Sequence, residues 1–282
     1  MARPQAPGVV TDRWSRGQWR QAKDFLAAEE PLQLSLDGKP LSIVMRTPGN
    51  DLELALGLLW AEAVLTSLRQ VVKVLMSAES GEAEAGIELE ASLVESNQVD
   101  VHLAPGAGRR PERSFLSSSA CGVCGATTVE ALALDFPNLQ DGNHIDPLLL
   151  PNLGERLRQS QQIFEQTGGL HAAGLFTTDG ELVLLREDIG RHNAVDKVVG
   201  RMLLDGMLPG SAYLLTVSGR AGYEVVQKAV AAGIPALAAV GAPSSLAVAT
   251  ARRFGLTLVG FLRPDRFNVY SGPERLKESV RP

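Results

Sequence analysis

The chain has 282 residues and a mass of 30.0 kDa, room for one large domain or two modest ones. Hydrophobic residues make up 45% and charged residues 21%, which excludes wholesale disorder, and a net charge of −5 argues against a broad basic face for duplex nucleic acid. Two cysteines, Cys121 and Cys124, are too few for a disulfide-rich scaffold or a four-cysteine zinc site. The start carries Arg3, Arg13, Arg16 and Arg20 but no continuous apolar core, unlike a secretory signal. The longest apolar stretch, 229–242, is broken by Gly233 and Pro235 and is too short to span a bilayer. The expectation is a cytoplasmic protein with neither a nucleic-acid nor a membrane partner.

Residues 1–30 read as a flexible leader, because Pro4, Pro7 and Gly8 discourage regular structure and no apolar periodicity appears before Leu32. Residues 32–36 and 41–45 alternate with period two around Asp37-Gly38, a β-hairpin signal. Pro48-Gly49-Asn50-Asp51 opens a Leu- and Ala-rich helix over 52–65. Strands are expected at 71–76, 86–90 and 98–103, with an acidic run of loops and solvated face between them. These elements form a small α+β N-terminal domain over 31–110, closed by a linker at 104–111.

The remainder, 111–282, reads as an α/β core. A small-residue loop, 117–125, holds Cys121 and Cys124 and feeds a helix starting near Thr127, where Thr127 and Glu130 have capping-box spacing. A helix over 153–166 precedes Gly168-Gly169, a hairpin over 172–187 turns at Asp179-Gly180, and a helix follows over 193–204. Strands at 213–217, 235–240 and 256–262 then alternate with helices at 223–232 and 246–254. That β-α-β-α-β order predicts a partly parallel sheet with covering helices, and it puts the loops 218–222 and 241–245 at one carboxyl edge.

Those two loops each deliver a helix N-terminus, where free N–H groups and the helix dipole favour an anion. Arg220 lies in the first loop, and Arg263 and Arg266 follow the last strand; together they predict a phosphate clamp. Neither a Walker motif nor a G-x-G-x-x-G after a strand is present.

The C-x-x-C pair admits four chemistries. Structural zinc needs two more ligands, with His171 and His192 far off in sequence as the available ones. Thioredoxin-like exchange places the pair directly after a strand, whereas a serine-rich loop precedes it here. Zinc-dependent base deamination needs H-x-E and P-C-x-x-C, and this chain has neither. Sulfur relay needs a mobile, exposed cysteine of low pKa, which a glycine-flanked loop before a helix suits best. A second dense segment, Arg186-Glu187-Asp188-Ile189-Gly190-Arg191-His192-Asn193, is either an internal ion network or the floor of a site, and charge at that density at a helix start favours a site. His102 and His144 read as structural hydrogen-bonders.

At these residues the chain resembles a known family, the formate dehydrogenase accessory sulfurtransferases (FdhD). The resemblance lies in Ser119-Ala120-Cys121-Gly122-Val123-Cys124-Gly125, in Thr167-Gly168-Gly169-Leu170-His171-Ala172-Ala173, and in the stretch from Arg186 to Lys197. It continues in Ser218-Gly219-Arg220-Ala221-Gly222-Tyr223-Glu224, Gly241-Ala242-Pro243-Ser244-Ser245 and the segment from Gly260 to Tyr270, and so covers about 115–272. The N-terminal part matches weakly, in its hairpin and at 51–57.

The resemblance implies a cytidine-deaminase-like core without the deaminase zinc site. It also implies a sulfur carrier that takes sulfur from a cysteine desulfurase as a cysteine persulfide. The sulfur passes to the molybdenum (or tungsten) bis-molybdopterin guanine dinucleotide cofactor, bound transiently as substrate, before that cofactor enters the formate dehydrogenase catalytic subunit. No metal of the protein's own is implied, and a homodimer is the family expectation. Carried onto this sequence, Cys121 bears the persulfide and Cys124 assists. Phe261, Leu262, Arg263, Pro264, Asp265 and Arg266 bind the cofactor, and Ser218, Gly219, Arg220, Gly241 and Ser244 fit its nucleotide arms on chemical grounds. His171, Asp188 and His192 are neighbours of the transferring sulfur. Two readings from other classes stand beside this one: a thiol–disulfide oxidoreductase, and a cofactor chaperone whose cysteines are structural.

Overall fold

Leu32, Leu34 and Leu36 alternate with other residues, and the strand they form buries all three. That strand, β3 (Glu30–Leu36), pairs antiparallel with β4 (Lys39–Arg46) as expected from sequence. The computed structural model describes residues 4–76, 87–91, 97–109, 136–139 and 144–276. The expected C-x-x-C loop and the helix after it therefore lie outside the described residues.

The expected leader contains regular structure. Strands β1 (Gly8–Ser15) and β2 (Gln18–Phe25) form an antiparallel hairpin with Trp14 opposite Trp19. Its turn residues Arg16 and Gly17 both have positive φ, the conformation a two-residue hairpin turn requires. The sequence hides this element because its side chains are mostly exposed, so no buried face imposes an apolar alternation.

Beyond β4, α1 (Asp51–Ala61) leads to β5 (Val71–Met76), β6 (Glu88–Ala91) and β7 (Gln98–Leu103). Together with the β3–β4 hairpin these strands make a five-stranded sheet in the order β4-β3-β7-β5-β6. Helix α1 ends four residues before the predicted position, where Ala63 takes a positive φ. It is apolar nearly all round and buried along its length, which means it must be covered on more than one side. The sheet's apolar face covers one side.

The other side is covered by the second unit. Its sheet runs β13-β12-β11-β10-β8-β9. The hairpin β8 (His171–Thr177) and β9 (Leu182–Asp188) pairs antiparallel with β10 (Tyr213–Val217), which lies parallel to β11 (Ala236–Ala239) and, through it, to β12 (Thr257–Arg263). Helices α4 (Arg191–Leu204), α5 (Tyr223–Ala231) and α6 (Ser245–Phe254) cover one face, packing on Ala173, Leu175, Leu215, Val217, Leu237 and Leu258. The residues between those along each strand face α2 (Leu150–Gln159) on the other side. The predicted parallel order is observed. This sheet has one strand beyond those expected: β13 (Arg266–Ser271) returns antiparallel to β12, so Arg266 starts the strand beyond the turn.

Sequence periodicity also joined two helices that the structure separates. A single helix was expected over 153–166, but α2 stops at Gln159 and α3 (Gln162–Thr167) starts afresh. The Glu187 carboxylate, reaching from β9, accepts from the backbone N–H groups of Ile163 and Phe164 at 3.0 and 2.8 Å and so caps the new helix. A cap supplied by a residue more than twenty positions away leaves no trace in local sequence.

The two units meet where α1 crosses α4. A β-carbon added at Gly57 would lie 1.9 Å from the carbonyl oxygen of Asp196, and one added at Gly200 would lie 1.8 Å from that of Glu53. Both glycines are there to let two backbones touch.

Candidate functional site

The loops that end β10, β11 and β12 are tied edge to edge. Gly241 N–H donates to the Gly219 carbonyl at 2.9 Å, Phe261 N–H donates to the Gly241 carbonyl at 3.1 Å, and Ser244 N–H donates to the Ala221 carbonyl at 3.0 Å. This places the expected residues Gly219, Gly241, Ser244 and Phe261 along one carboxyl edge of the parallel strands. Phe261 is 41% exposed and has φ 53°, a left-handed conformation that a bulky side chain seldom adopts.

A cleft of about 540 Å³ opens at this edge. Its floor is Ser218, Val240, Leu262, Arg263 and Pro264 from the three strand ends, with Gly168, Gly169, Leu170 and His171 leading into β8. Its far wall comes from α2 and α3 through Glu155, Arg158, Gln161 and Phe164. The mixture of apolar walls and a few polar side chains is that of a ligand cleft. Ser218 accepts from the Ala172 N–H at 2.9 Å, which fixes the end of β10 against β8.

The predicted three-arginine clamp needs correction. Arg263 lines the cleft, donating from Nη1 to the carbonyls of Val240 and Leu262 at 2.9 and 2.7 Å. Arg266 instead pairs with Asp265 at the exposed tip of the β12–β13 hairpin, both side chains 72% exposed. Arg220 is also exposed on its loop and does not line the cleft. The second cationic side chain of the cleft is Arg158, which stacks its guanidinium 4.4 Å from the Phe164 ring centre and pairs with Glu165 at 2.8 Å. Nothing in the sequence singled it out, since it sits on the polar side of an amphipathic helix like any other arginine. Ser244 serves its own helix, accepting from the Ala247 N–H as the cap of α6.

The dense charged segment is largely an internal network. Arg186 makes two bonds to Glu53 of α1, at 2.5 and 2.6 Å. Asp188 is fully buried against the equally buried Lys197, 2.8 Å away, and also accepts from Thr47 N–H, Gly190 N–H and Asn193 Nδ2. Asp188 is cross-strand partner to His171, yet its oxygens are committed to the fold.

His192 sits apart from that network, 3.2 Å through Nδ1 from Glu224 of α5. Burial, with the Arg191 and Lys228 charges beside it, pulls its pKa down to about 3. It therefore stays neutral, and its Nδ1–H donates to the Glu224 carboxylate. His171 is lowered as well, first by burial and then by Arg191. Behind His192, the Asp196–Lys228 pair is buried at 2.7 Å. Burial pushes Asp196 up to about 6 although Lys228 opposes the shift, and burial likewise raises Glu62. Lys228 is raised, because the Asp196 and Glu62 carboxylates outweigh the burial that would lower it.

These shifts predict an acid sensitivity with a defined sign. The unfolded chain protonates the imidazole at position 192 near its ordinary value, whereas the folded protein resists until about 3. Stability tied to this group is therefore intact above pH 6.5 and is lost as pH falls toward 3, reaching about 2 kcal/mol at pH 5. Asp196 acts in the opposite sense, since a raised carboxylate gains stability as pH falls through about 6. His192→Gln should then melt several degrees above the wild type at pH 5 relative to their difference at pH 7. Thermal melts across that range check it, and a constant difference would contradict the assignment of a neutral His192.

A metal has no obvious seat: among the described residues no three His, Cys, Asp or Glu side chains are grouped to hold one. Nor is any described helix long and apolar enough to cross a membrane. Cys121 and Cys124 lie outside the described residues.

The model of the FdhD/NarQ family matches residues 27–277 of this chain. The chain belongs to the FdhD/NarQ family. Relatives within the family include the sulfur carrier protein FdhD of Streptomyces coelicolor, 50% identical over 264 residues that span 90% of this chain and 89% of that one. The sulfur carrier protein FdhD of Sulfolobus acidocaldarius is 43% identical, spanning 92% of this chain and 94% of its own. Among solved structures, that of a putative formate dehydrogenase accessory protein from Desulfotalea psychrophila superposes with a TM-score of 0.75 at 24% identity, covering 97% of this chain and 100% of that one. This last likeness is one of fold. The FdhD/NarQ match begins at residue 27, after the β1–β2 hairpin.

Proposed function

We propose that this protein is a sulfur carrier serving formate dehydrogenase. It takes sulfur from a cysteine desulfurase onto Cys121 and delivers it to a molybdenum or tungsten bis-molybdopterin guanine dinucleotide bound as substrate in the cleft at the sheet edge. The observation that carries the reading is this cleft, assembled inside a chain that matches sulfur carriers over nine-tenths of its length. Arg263 at the strand ends and Arg158 on the opposite wall offer positive charge to phosphates, and its apolar walls suit a flat heterocycle. The strand order β9-β8-β10-β11-β12 supports a cytidine-deaminase-like description of the core. Asp265 and Arg266, at the exposed hairpin tip, are placed to meet a ligand or partner larger than the cleft.

The loading step is a thiol exchange. The Cys121 thiolate attacks the outer sulfur of the desulfurase persulfide; the S–S bond breaks, the desulfurase leaves as its thiolate, and Cys121 holds the persulfide. Cys124, three residues on, assists as second thiol. A reducing cytoplasm keeps both thiols available. The receiving partner is the formate dehydrogenase catalytic subunit, and the assembly is a homodimer.

Intact-protein mass spectrometry after incubation with a cysteine desulfurase and cysteine tests the carrier reading. A reducible gain of one sulfur atom, mapped to the peptide holding Cys121 and Cys124 and absent from a folded Cys121→Ala variant, is the expected result. No gain from a desulfurase active on another acceptor would overturn it in favour of a chaperone or redox role, and full loading of Cys121→Ala would move the persulfide off Cys121.

A further inference from the structure

We propose that Gln161 reads the nucleotide base in the cleft, donating from its side-chain amide to an acceptor on guanine. This deepens the cleft's proposed role as a guanine-nucleotide site and rests on it. Gln161 is 3% exposed, stands in the cleft wall between α2 and α3, and its buried Nε2 meets no hydrogen-bond partner among the described residues. Buried amide groups are nearly always satisfied, and one left unpaired costs the protein stability. Its presence in a ligand cleft therefore asks for a partner that arrives with the ligand. Gln161 itself lines the cleft, and the terminal torsion of glutamine is soft, so its amide can turn without moving the chain.

The position of this residue is built into the fold. Glu187 restarts the helix at Gln162, and that break leaves Gln161 in a non-helical conformation, φ −79° and ψ 89°, at the head of α3. Around it the cleft offers apolar faces in Phe164 and Leu262 and a carboxylate in Glu155. Guanine carries the acceptors O6 and N7 beside the donors N1–H and N2–H₂, whereas adenine carries a donor where guanine has O6. An amide donor with a carboxylate on the same wall matches guanine, and a site that hydrogen-bonds its ligand rejects the analogue that leaves those groups unpaired.

Calorimetric titration of the full chain with GDP and with ADP tests the assignment, using Gln161→Met and Gln161→Glu with thermal melts alongside. The wild type should bind GDP more tightly than ADP. Gln161→Met should weaken GDP about tenfold or more, leave ADP unchanged, and melt no lower than the wild type, because it removes an unsatisfied donor. Gln161→Glu keeps the side-chain length and turns the donor into an acceptor, so it should lose GDP likewise, and it carries the test should the Met variant not fold. GDP affinity unchanged in a folded variant, or equal binding of GDP and ADP by the wild type, overturns the role of Gln161 and leaves the cleft's role standing. A lower melting temperature with GDP affinity intact assigns Gln161 to structure instead. Failure of the wild type to bind either nucleotide overturns both readings.

Discussion

Replacing Gly200 or Gly57 by alanine should cost the protein upward of about 4 kcal/mol, an amount reached only by severe core defects. The added methyl would sit 1.8 Å from the Glu53 carbonyl oxygen in the first case and 1.9 Å from that of Asp196 in the second. Neither obstacle is a flexible side chain that can swing away; each is the backbone of the opposing helix. Relief requires α1 and α4 to part, and both are packed into cores on their outer sides. Against a typical domain stability of about 5–15 kcal/mol such a loss leaves little native protein at growth temperature. Urea unfolding of the purified variants, or their soluble yield if they cannot be purified, measures the effect. Gly154→Ala is the control, because a methyl there meets Leu262 and Val240 at an ordinary 3.5 Å and α2 should gain from the better helix former. Wild-type stability in Gly200→Ala would mean that the two helices do not cross at these glycines.

Asp188→Ala should be nearly as damaging, at about 3–5 kcal/mol. The substitution strands the Lys197 ammonium, which is wholly buried, and removes the acceptor used by Thr47 N–H, Gly190 N–H and Asn193 Nδ2. The damage extends across both units, because Thr47 belongs to the N-terminal one. Its carbonyl accepts from Lys197 at 2.9 Å and its hydroxyl accepts from Ile189 N–H at 3.1 Å. The double variant Asp188→Leu with Lys197→Met should recover a large part of the loss, since it removes the unpaired charge along with the pair. A double-mutant cycle by denaturant unfolding gives the coupling. If the single and double variants lose the same stability, the cost lies in the orphaned backbone donors rather than in the stranded charge.

The same segment illustrates how far a sequence can be read. Two arginines, two carboxylates and a histidine within seven residues announce that charge has been concentrated for a reason. They do not announce the partners. Glu53, which holds Arg186, lies 133 positions away, and Thr47, which holds Asp188, lies 141 away. A dense site floor and a buried ion network look alike until those partners are known. The cleft divides in the same manner. Ser218 and Arg263 were legible because each lies at the end of a strand whose parallel order could be inferred, and such strand ends collect at one edge, whereas Leu262 and Pro264 came from the family resemblance. Arg158 and Gln161 were not legible, because the break between α2 and α3 is imposed by the Glu187 carboxylate.

By itself the sequence determined most strand and helix positions, the parallel β10-β11-β12 order, the C-x-x-C pair and the motifs that mark the FdhD/NarQ family. These are properties of apolar period, turn residues and fixed short spacings, all of which act within a few residues of chain. Only the tertiary structure decided that the leading segment pairs into an exposed hairpin, that Arg266 turns away from the cleft while Arg158 enters it, and that the charged segment binds the two units together. The entry of Arg158 and the tie between the units depend on which distant group supplies a cap or a counter-charge, and the leading hairpin escaped notice because no buried face marks it. Local periodicity carries no record of such a partner, because the contacts between the units join residues more than a hundred positions apart that come together only in the folded chain.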